Sequence, residues 1–556
     1  MRRARREPKG RQPDDAAILR VRGLIGPGPY RRDLLIEHLH RINDATGCLH
    51  EGDLVALAHL MNLPMTEVYE VASFYHHFDV VRDDVKPARL TVRVCDSLSC
   101  RLAGSADLLE RLPALLGSDV RVVAAPCIGR CEQAPAVAVG LRALAQADAE
   151  AVFQASNEAV AVVGSAKSAT EYIAYDAYRA HGGYALATAL AVGGRDPEPV
   201  IAALEDAGLR GLGGAGFPAG RKWRIVRAQA APKLFAVNID EGEPGTFKDR
   251  FYLERDPHRF LEGMLVAAQV VGVEACYIYL RDEYADARRL LQTELARLEA
   301  DPPYPLPRIE LRRGAGAYIC GEESAMLQSI EGRRGEPRLR PPYIAEIGLF
   351  GRPTLEHNFE TLYWVREIVE KGAAWFASHG RNGRKGLRSF SVSGRVKEPG
   401  VKLAPAGITV RQLIDEYCGG MADGHQLYAY LPGGASGGIL PASLADLPLD
   451  FDTLQPYGCF IGSAAVIVLG QHDSAREAAL SMMRFFADES CGQCTPCRVG
   501  TAKAAALMSS PVWDQPLLAD LGQVMADASI CGLGQAAPNP IRCVQKYFPH
   551  EIGGAK

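Results

Sequence analysis

Hydrophobic positions recur with helical spacing near the start of the chain. Leu35, Leu39 and Ile42 are spaced i, i+4 and i+7, and residues 66–78 show a similar spacing. Because one face of an α-helix repeats about every 3.6 residues, these runs predict a small helical bundle over residues 31–85. Residues 1–30 carry six Lys or Arg in the first dozen positions. They predict a solvated basic tail, with a docking arm for an acidic partner as the alternative.

The hydrophobic pattern then changes from helical spacing to alternation at every second residue. Residues 90–95 alternate in polarity, and a helical run and two further short apolar runs follow before residue 140. The order strand, helix, strand, strand predicts a small α/β domain over residues 86–142. The Ala-rich residues 143–182 have weak periodicity and are interpreted as a linker.

Three further regions complete the chain. Strand and helix patterns alternate over residues 183–383, short apolar runs between Gly and Pro fill residues 384–471, and helical spacing returns over residues 472–556. They predict a large α/β domain, a compact β-rich domain and a helical domain. The 556 residues are enough for roughly three to five domains. The predicted fold class is therefore multidomain α/β.

Composition argues against a nucleic-acid-binding protein and against an integral membrane protein. With 62 Lys or Arg and 66 Asp or Glu the formal net charge is −4, so no overall basic charge points to nucleic acid. The longest nearly uninterrupted apolar stretch, residues 460–469, is about half of the roughly 20 residues that a membrane span needs. The 14 cysteines, with no apolar segment behind the basic start, favour a reducing, cytoplasmic location and metal or redox chemistry.

Two cysteine pairs each come just after a predicted strand. They are Cys95 and Cys100 in CDSLSC, and Cys127 and Cys131 in CIGRC. Four thiolates on two adjacent loops suit a [2Fe–2S] cluster, because each iron takes two sulfurs. A structural zinc site is the alternative, although zinc favours tighter C-x₂-C spacing. Four unrelated buried cysteines would not explain the paired spacing.

A C-x₂-C-x₂-C motif contains Cys491, Cys494 and Cys497. Three sulfurs on one short loop suit a [4Fe–4S] cluster whose fourth ligand comes from elsewhere. Cys531, in SICGLG, is the candidate because small glycines let backbone N–H groups approach the cluster sulfurs. Cys543 is the alternative but lacks such a loop. The cysteines outside the two groups are interpreted as small buried hydrophobes.

A glycine-rich segment over residues 211–216 matches G-x-G-x-x-G. The segment before it has a helical pattern, and Phe217-Pro218 interrupts the segment after it, so an ordinary Rossmann fingerprint is rejected. The loop can still wrap a phosphate with its N–H groups, and Lys222 is close enough to neutralise the charge. A flexible turn is the alternative.

Acidic residues come after a second predicted strand. Asp240, Glu241 and Glu243 lie directly after the apolar run 234–237, where crowded carboxylates need a ligand, a metal or a proton to relieve their repulsion. A third Gly-rich segment, residues 314–323, leads into a helix. Paired carboxylates also suit hydrolytic acid–base chemistry, but two iron–sulfur motifs favour a redox role.

At these motifs the chain resembles a known family. GLRGLGGAGFPAGRKW, NIDEGEPGTFKDR, GAGAYICGEES and ESCGQCTPCRVGT resemble the 51-kilodalton-type flavoprotein subunit of respiratory complex I, and CDSLSC with APCIGRC resembles its thioredoxin-like [2Fe–2S] subunit. Their fusion is similar to the diaphorase subunits of NAD-dependent formate dehydrogenases and NAD-reducing hydrogenases. SGRVKEPGVKLAPAG and GLGQAAPNPIRCVQKYFPHEI look most like formate dehydrogenase β subunits.

The resemblance implies an atypical Rossmann-like FMN/NAD domain, a ubiquitin-like β-grasp domain and a C-terminal [4Fe–4S] bundle. The residues that match the family's FMN ligands are Gly211, Gly213, Gly214, Lys222, Asn238, Asp240, Glu241, Tyr318, Gly321, Glu322, Asn358 and Thr361. Those that match its NAD contacts are Phe217, Glu243, Glu323 and Tyr343. Glu323, beside the nicotinamide, is the catalytic candidate. His357 departs from the family's usual Asn-Asn pair, so only the second position is carried over.

The resemblance further implies hydride exchange between FMN and NAD, with single electrons passed through the iron–sulfur clusters. The expected partner is a formate dehydrogenase catalytic α subunit with a molybdenum or tungsten pterin. A hydrogenase or complex I diaphorase is the nearest alternative. A non-enzymatic protein with zinc at the cysteines is the alternative from a different class.

Overall fold

The computed structural model describes residues 10–161 and 171–553. The first domain is a helical bundle with a short parallel strand pair. Its elements are α1 (Asp15–Ile25), α2 (Leu35–Thr46), β1 (Leu49–His50), α3 (Glu51–Met61), α4 (Met65–Phe74) and β2 (Val80–Val81).

The bundle begins earlier than the hydrophobic pattern predicts. Ala17, Val21 and Ile25 of α1 are buried, and this helix packs on α2 and α3. Arginines between these residues mask their i, i+4, i+8 spacing, so part of the predicted tail over residues 1–30 is a packed helix. Residues 1–9 lie outside the described part of the chain.

The second domain is a four-stranded sheet with helices. Its elements are β3 (Leu90–Cys95), α5 (Leu98–Leu102), α6 (Ser105–Leu116), β4 (Val120–Ala125), β5 (Val137–Val139), β6 (Arg142–Leu144) and α7 (Ala149–Ala161). The strand order is β4-β3-β5-β6, with β3 parallel to β4 and the other pairs antiparallel. The three predicted strands are therefore present, and β6 is an additional strand.

The predicted linker over residues 143–182 is largely structured. Helix α7 packs Val152 and Ala155 into the core of the small domain. Its high Ala content conceals the amphipathic pattern, because alanine is apolar yet common on helix surfaces. Residues 162–170 lie outside the described part.

The large domain is built on a parallel sheet of order β10-β7-β8-β9. Its elements are α8 (Tyr175–Ala180), α9 (Ala185–Ala191), α10 (Pro197–Ala207), α11 (Ala219–Arg227), β7 (Lys233–Ile239), α12 (Lys248–Leu253), α13 (Pro257–Val271), β8 (Val273–Leu280), α14 (Ala285–Ala300), β9 (Arg308–Arg313), α15 (Glu323–Ile330), β10 (Thr354–Asn358), α16 (Phe359–Tyr363), α17 (Val365–Lys371) and α18 (Ala373–Ala377). Helices bury the central strand β7 almost completely, which explains its continuous apolar run.

Two smaller units complete the chain. The β-rich unit has strand order β12-β11-β15-β13-β14 and one α-helix of eight residues. Its elements are β11 (Leu387–Gly394), β12 (Gly400–Pro405), α19 (Val410–Tyr417), β13 (Leu427–Leu431), β14 (Leu440–Pro441) and β15 (Ala465–Gly470). The last unit is helical, with α20 (Ala475–Asp488), α21 (Thr495–Met508), α22 (Gln515–Ala528), α23 (Gly532–Ala536) and α24 (Asn539–Tyr547).

Four of the five structural units share one hydrophobic core, and the small four-stranded domain has its own. The bundle, the large domain, the β-rich unit and the C-terminal helices share one continuous set of buried side chains. The small four-stranded domain has a separate core around β3 and β5. Among the described residues, none of the helices has the length and apolar character required to cross a membrane.

Candidate active site and cysteine centres

Four cysteines meet at one edge of the small domain. Cys95 ends β3 and Cys127 comes just after β4, and because these strands are parallel their carboxyl ends lie side by side. Cys100 lies in the short helix α5, and Cys131 begins a single 3₁₀ turn. The Sγ atoms of Cys127 and Cys131 are 3.3 Å apart, and Cys95 interacts with both Cys100 and Cys127. All four side chains are buried.

A second cysteine group lies among the C-terminal helices. Cys491, Cys494, Cys497 and Cys531 line one cavity with an empty volume of about 250 Å³. Cys531 caps the N-terminus of α23, where the amides of the next turn approach its sulfur. Cys543 lies elsewhere, with its Sγ 3.5 Å from that of Cys459.

Both cysteine groups fit the clusters that their spacing predicts. Each supplies four sulfurs from two chain segments, as a [2Fe–2S] and a [4Fe–4S] cluster require. In the described residues no three His, Cys, Asp or Glu side chains surround a preformed position for a single metal ion.

The glycine-rich loop connects two helices, as expected from the rejected Rossmann pattern. Helix α10 precedes it, and α11 starts only after Pro218. The amide of Leu212 donates to Oγ1 of Thr361 at 2.9 Å. A Cβ on Gly213 would lie 2.9 Å from Cβ of Asn358, so only glycine allows this approach. The loop thereby reaches the segment just past β10.

Lys222 on α11 faces acids in this structure. Its Nζ lies 3.0 Å from the backbone oxygen and from Oε2 of Glu356. Burial lowers the pKa of Lys222, but Glu356 and Glu323 outweigh it and raise the pKa overall. The predicted phosphate partner is therefore not needed to keep this lysine charged.

His357 stands where the family usually has the first Asn of an Asn-Asn pair, and its side chain has a partner within the protein. Its Nε2 accepts from Nε1 of Trp223 at 2.7 Å, and its side chain is buried. Neighbouring residues of a strand point to opposite faces, so His357 lies on the other face of β10 from Asn358. Burial and the nearby Lys222 lower the pKa of His357 well below its usual range, which favours the neutral ring.

The acidic loop past β7 contains a carboxylate oxygen with no partner. Asn238 donates to the Gly321 carbonyl at 2.9 Å and accepts from the Asp240 amide at 3.0 Å. Oδ2 of Asp240 is buried without a hydrogen bond, and burial raises the pKa of Asp240 well above its usual range. Asp240 borders a cavity of about 240 Å³, so a hydroxyl-bearing ligand there would satisfy this oxygen.

Glu241 and Glu243 are held by the surrounding protein. Glu241 accepts from the Asp249 and Arg250 amides at 2.8 and 3.1 Å, and from Tyr284 Oη at 2.9 Å. Burial raises the pKa of Glu241, as does the neighbouring Asp249.

Glu243 reaches the β-rich unit. It accepts from the Ser436 amide at 2.7 Å and from the Tyr318 hydroxyl, while the Tyr318 amide donates to Glu489 at 2.8 Å. The cavity that borders Asp240 is also lined by Tyr318 and Glu489. Residues of the large domain, the β-rich unit and the C-terminal helices therefore meet around Glu243 and Tyr318.

The two glutamates at the start of α15 have different partners. Glu322 caps the helix, because its Oε2 accepts from the Ser324 and Ala325 amides at 2.9 Å. Glu323 is the first residue of the helix and lies 2.9 Å from Arg340, which also contacts Glu322. Burial raises the pKa of Glu323.

The predicted adenine contacts present open aromatic faces. Phe217 is 39% exposed and Tyr343 is 57% exposed. Arg221 lies over the Phe217 ring, 5.7 Å from its centre. Exposed aromatic rings of this kind are available for stacking.

A buried charge cluster next to the glycine-rich loop was missed by sequence reasoning. Nζ of Lys248 lies 2.8 Å from Asp249 and 2.9 Å from Glu360. Asp249 also accepts from Nδ2 of Asn358 at 2.6 Å. Lys248 and Asp249 belong to the GTFKDR segment directly after the acidic loop, but nothing in the neighbouring sequence indicates that they are buried.

Four family models match the chain. A thioredoxin-like [2Fe–2S] ferredoxin matches residues 22–158, the Nuo51 FMN-binding domain residues 204–367, the SLBB domain residues 389–440, and the iron–sulfur binding region of NADH-ubiquinone oxidoreductase-F residues 477–554. The predicted multidomain fold class and the FMN, [2Fe–2S] and [4Fe–4S] modules are confirmed.

The chain is also similar to individual proteins and to solved structures. The F-type subunit numbered 2 of the NADH-quinone oxidoreductase of Rhizobium meliloti is 39% identical over 390 residues, covering 67% of this chain and 92% of that protein. The mitochondrial 51 kDa subunit of NADH-ubiquinone oxidoreductase of Neurospora crassa is 38% identical, covering 64% and 76%. An H₂-reduced NAD⁺-reducing [NiFe]-hydrogenase structure matches with TM-score 0.82 and 33% identity, covering 94% and 92%. The chain therefore belongs to the family of F-type NADH-quinone oxidoreductase subunits and 51 kDa flavoprotein subunits.

Proposed function

We propose that the chain is the diaphorase subunit of a soluble NAD-dependent formate dehydrogenase. The observation that carries the diaphorase assignment is the meeting of the glycine-rich loop, the acidic loop and the α15 N-terminus at the carboxyl ends of β7 and β10. FMN, when bound, supplies hydride exchange with NAD and one-electron exchange with iron–sulfur clusters.

The protein's own residues position the reactants. Thr361 accepts from the Leu212 amide and Asn358 lies against Gly213, so both hold the glycine-rich loop, whose N–H groups over residues 213–216 suit a phosphate. Asp240 supplies a buried acceptor for a ligand hydroxyl. Phe217 and Tyr343 offer rings for a nucleotide base.

Glu323 is the proposed catalytic residue because its carboxylate favours the cationic nicotinamide of NAD⁺. Hydride transfer needs no proton donor, so the role of Glu323 is electrostatic. The positive charges of Lys222 and Arg340 moderate its charge.

The partner proposed is a catalytic α subunit that carries a molybdenum or tungsten pterin and oxidises formate. This choice is supported by the segments SGRVKEPGVKLAPAG and GLGQAAPNPIRCVQKYFPHEI, which resemble formate dehydrogenase β subunits. In this role, electrons arrive from formate and the working direction is NAD⁺ reduction.

A hydrogenase partner is the second candidate. It is favoured by the similarity to NAD⁺-reducing [NiFe]-hydrogenase chains over 94% of the present chain. The local chemistry at the nucleotide site is the same in both cases, because only the source of electrons differs.

Purification of the native complex tests the two partners directly. The purified complex would be assayed for NAD⁺ reduction with formate and with H₂, and its molybdenum, tungsten and nickel would be measured. Formate-dependent activity with molybdenum or tungsten supports the proposal. Activity with H₂ alone and nickel in the complex would replace it with the second candidate.

A further inference from the structure

The second cysteine loop, residues 126–131, is held by two arginines of the large domain. Arg281, just past β8, donates from Nη2 to the carbonyl oxygen of Cys127 at 2.6 Å. Arg250, on α12, donates from Nε to the carbonyl oxygen of Gly129 at 2.9 Å. The arginines are only 4% and 2% exposed, so these bonds lie in a buried interface between the two domains.

The same arginines contact the acidic loop of the candidate active site. Arg281 donates to the Glu241 carbonyl and pairs with Glu283 at 2.6 Å. The Arg250 amide donates to the Glu241 carboxylate, while its guanidinium pairs with Glu254 at 2.9 Å. Because acids offset part of each positive charge, the arginines act on the loop through both charge and hydrogen-bond geometry.

The orientation of the loop is fixed by these bonds. With the carbonyls of Cys127 and Gly129 turned toward the arginines, the Gly129 amide approaches Sγ of Cys127 at 3.4 Å. Gly129 has φ +71°, and a Cβ there would collide with the ring and Oη of Tyr284. The large domain therefore encloses the loop so closely that the peptides have little freedom to turn.

We propose that Arg281 and Arg250 set the reduction potential of the [2Fe–2S] cluster from outside the domain that binds it. Reduction adds one electron, and thus one negative charge, to the cluster. Amides directed at the sulfurs and cations near the loop stabilise this extra charge and raise the potential. The two arginines are positioning residues, and the proposal rests on Cys95, Cys100, Cys127 and Cys131 as the ligands, whichever partner supplies electrons.

The test is a redox titration of the full-length chain carrying its clusters, with dithionite and mediators, monitored by electron paramagnetic resonance. In Arg281→Gln the midpoint potential of the [2Fe–2S] signal is expected to shift to more negative values. In Arg281→Lys the shift is expected in the same direction but smaller, because one ammonium keeps the charge but cannot reproduce the fork of donors.

Matched controls separate this effect from a general disturbance. Arg288→Gln removes a nearby arginine that binds Asp282 at 2.8 Å, and it is expected to leave the [2Fe–2S] potential unchanged. The [4Fe–4S] signal of each variant gives an internal reference that should not move. Iron content is measured in every sample, and Arg250→Gln provides an independent variant.

Unchanged [2Fe–2S] potentials in cluster-retaining Arg281→Gln and Arg250→Gln would overturn the proposal, as would an equal shift of the [4Fe–4S] signal. If both Gln variants lose iron, the Arg281→Lys variant provides the test instead. A wild-type [2Fe–2S] potential in that variant would reject the proposal. NADH oxidation by the wild-type chain is assayed separately, so a failed diaphorase assignment is distinguishable from a failed potential shift.

Discussion

At the scale of single residues, Cys531 and Cys543 differ in the surroundings of their sulfur atoms. Cys531 shares a cavity with the C-x₂-C-x₂-C loop, whereas Cys543 lies against Cys459. Cys531→Ala is therefore expected to remove one of four sulfurs and to abolish the [4Fe–4S] signal, with a corresponding loss of iron. Iron analysis and low-temperature paramagnetic resonance would measure this.

Cys543→Ala is the matched control, since it removes a buried thiol of the same helical domain. It is expected to retain iron and the cluster signal. Loss of the signal in Cys543→Ala and its retention in Cys531→Ala would contradict the ligand assignment.

Glu323 is the second residue whose role depends on its surroundings. Because Glu322 caps α15, the Glu323 carboxylate is not used for the cap, and Arg340 offsets part of its charge. Glu323→Gln is expected to change the KM for NADH about fivefold, the effect of about 1 kcal/mol in a partly shielded site. Steady-state kinetics with an artificial acceptor would show it.

The comparison needs a second glutamate variant and a flavin measurement. Glu274→Gln, which removes the exposed partner of Arg352, should leave the kinetics unchanged. FMN content should stay at the wild-type level in Glu323→Gln. Unchanged NADH kinetics, or loss of FMN, would contradict the role given to this carboxylate.

At the scale of elements, helix α2 carries two buried histidines. Burial lowers the pKa of His38 to about 4 and that of His40 to about 3. His40 contacts the Gly314 carbonyl at 2.8 Å, so α2 joins the bundle to the large domain. Neither ring nitrogen of His38 has a hydrogen-bond partner in the described structure.

These shifts predict a loss of bundle stability in mild acid. Folded-state pKa values below the ordinary 6.5 mean that the unfolded chain binds protons first as the pH falls. Stability is therefore complete above pH 6.5 and declines below it, by about 2 kcal/mol for His38 between pH 7 and pH 5. Hydrogen exchange of residues 35–46, corrected for intrinsic rates, would measure this.

His38→Phe removes the titration but keeps a ring beside Tyr30. Between pH 7 and pH 5 it should lose less protection of α2 than the wild type. His59→Phe changes an exposed histidine of the same bundle and should behave as the wild type. Equal acid sensitivity of the His38 and His59 variants would argue against the proposed cause.

At the scale of the whole molecule, one chain joins four family modules, and none of these four is a pterin-binding module. The bundle, the large domain, the β-rich unit and the C-terminal helices share one core, and Cys127 of the first cysteine group lines the same cavity as Asp240 of the acidic loop. We therefore expect the isolated chain to reduce an artificial acceptor with NADH but not to oxidise formate.

Anaerobic assays of the pure chain would check both activities, with metal analysis to exclude a co-purified partner. The Cys531→Ala variant serves as a control, because reduction of acceptors that take electrons directly from the flavin should persist in it. Formate-dependent reduction by the pure chain alone would contradict this division of labour.

Sequence alone determined the features that depend on local spacing. The cysteine loops, the succession of strand, helix, strand and strand in the small domain, and the rejection of an ordinary Rossmann loop depend on residues close together in the chain. Hydrophobic spacing did not predict helices α1 and α7, because arginines interrupt the apolar positions of α1 and alanines obscure the amphipathic pattern of α7.

Only the tertiary structure decided which distant groups meet. It separated Cys531 from Cys543 and turned His357 away from Asn358. It also placed Arg281 and Arg250 on a cysteine loop more than a hundred residues earlier in the chain. The physical reason is that burial makes long-range polar contacts necessary, since a buried carbonyl or guanidinium must find a partner wherever the fold supplies one.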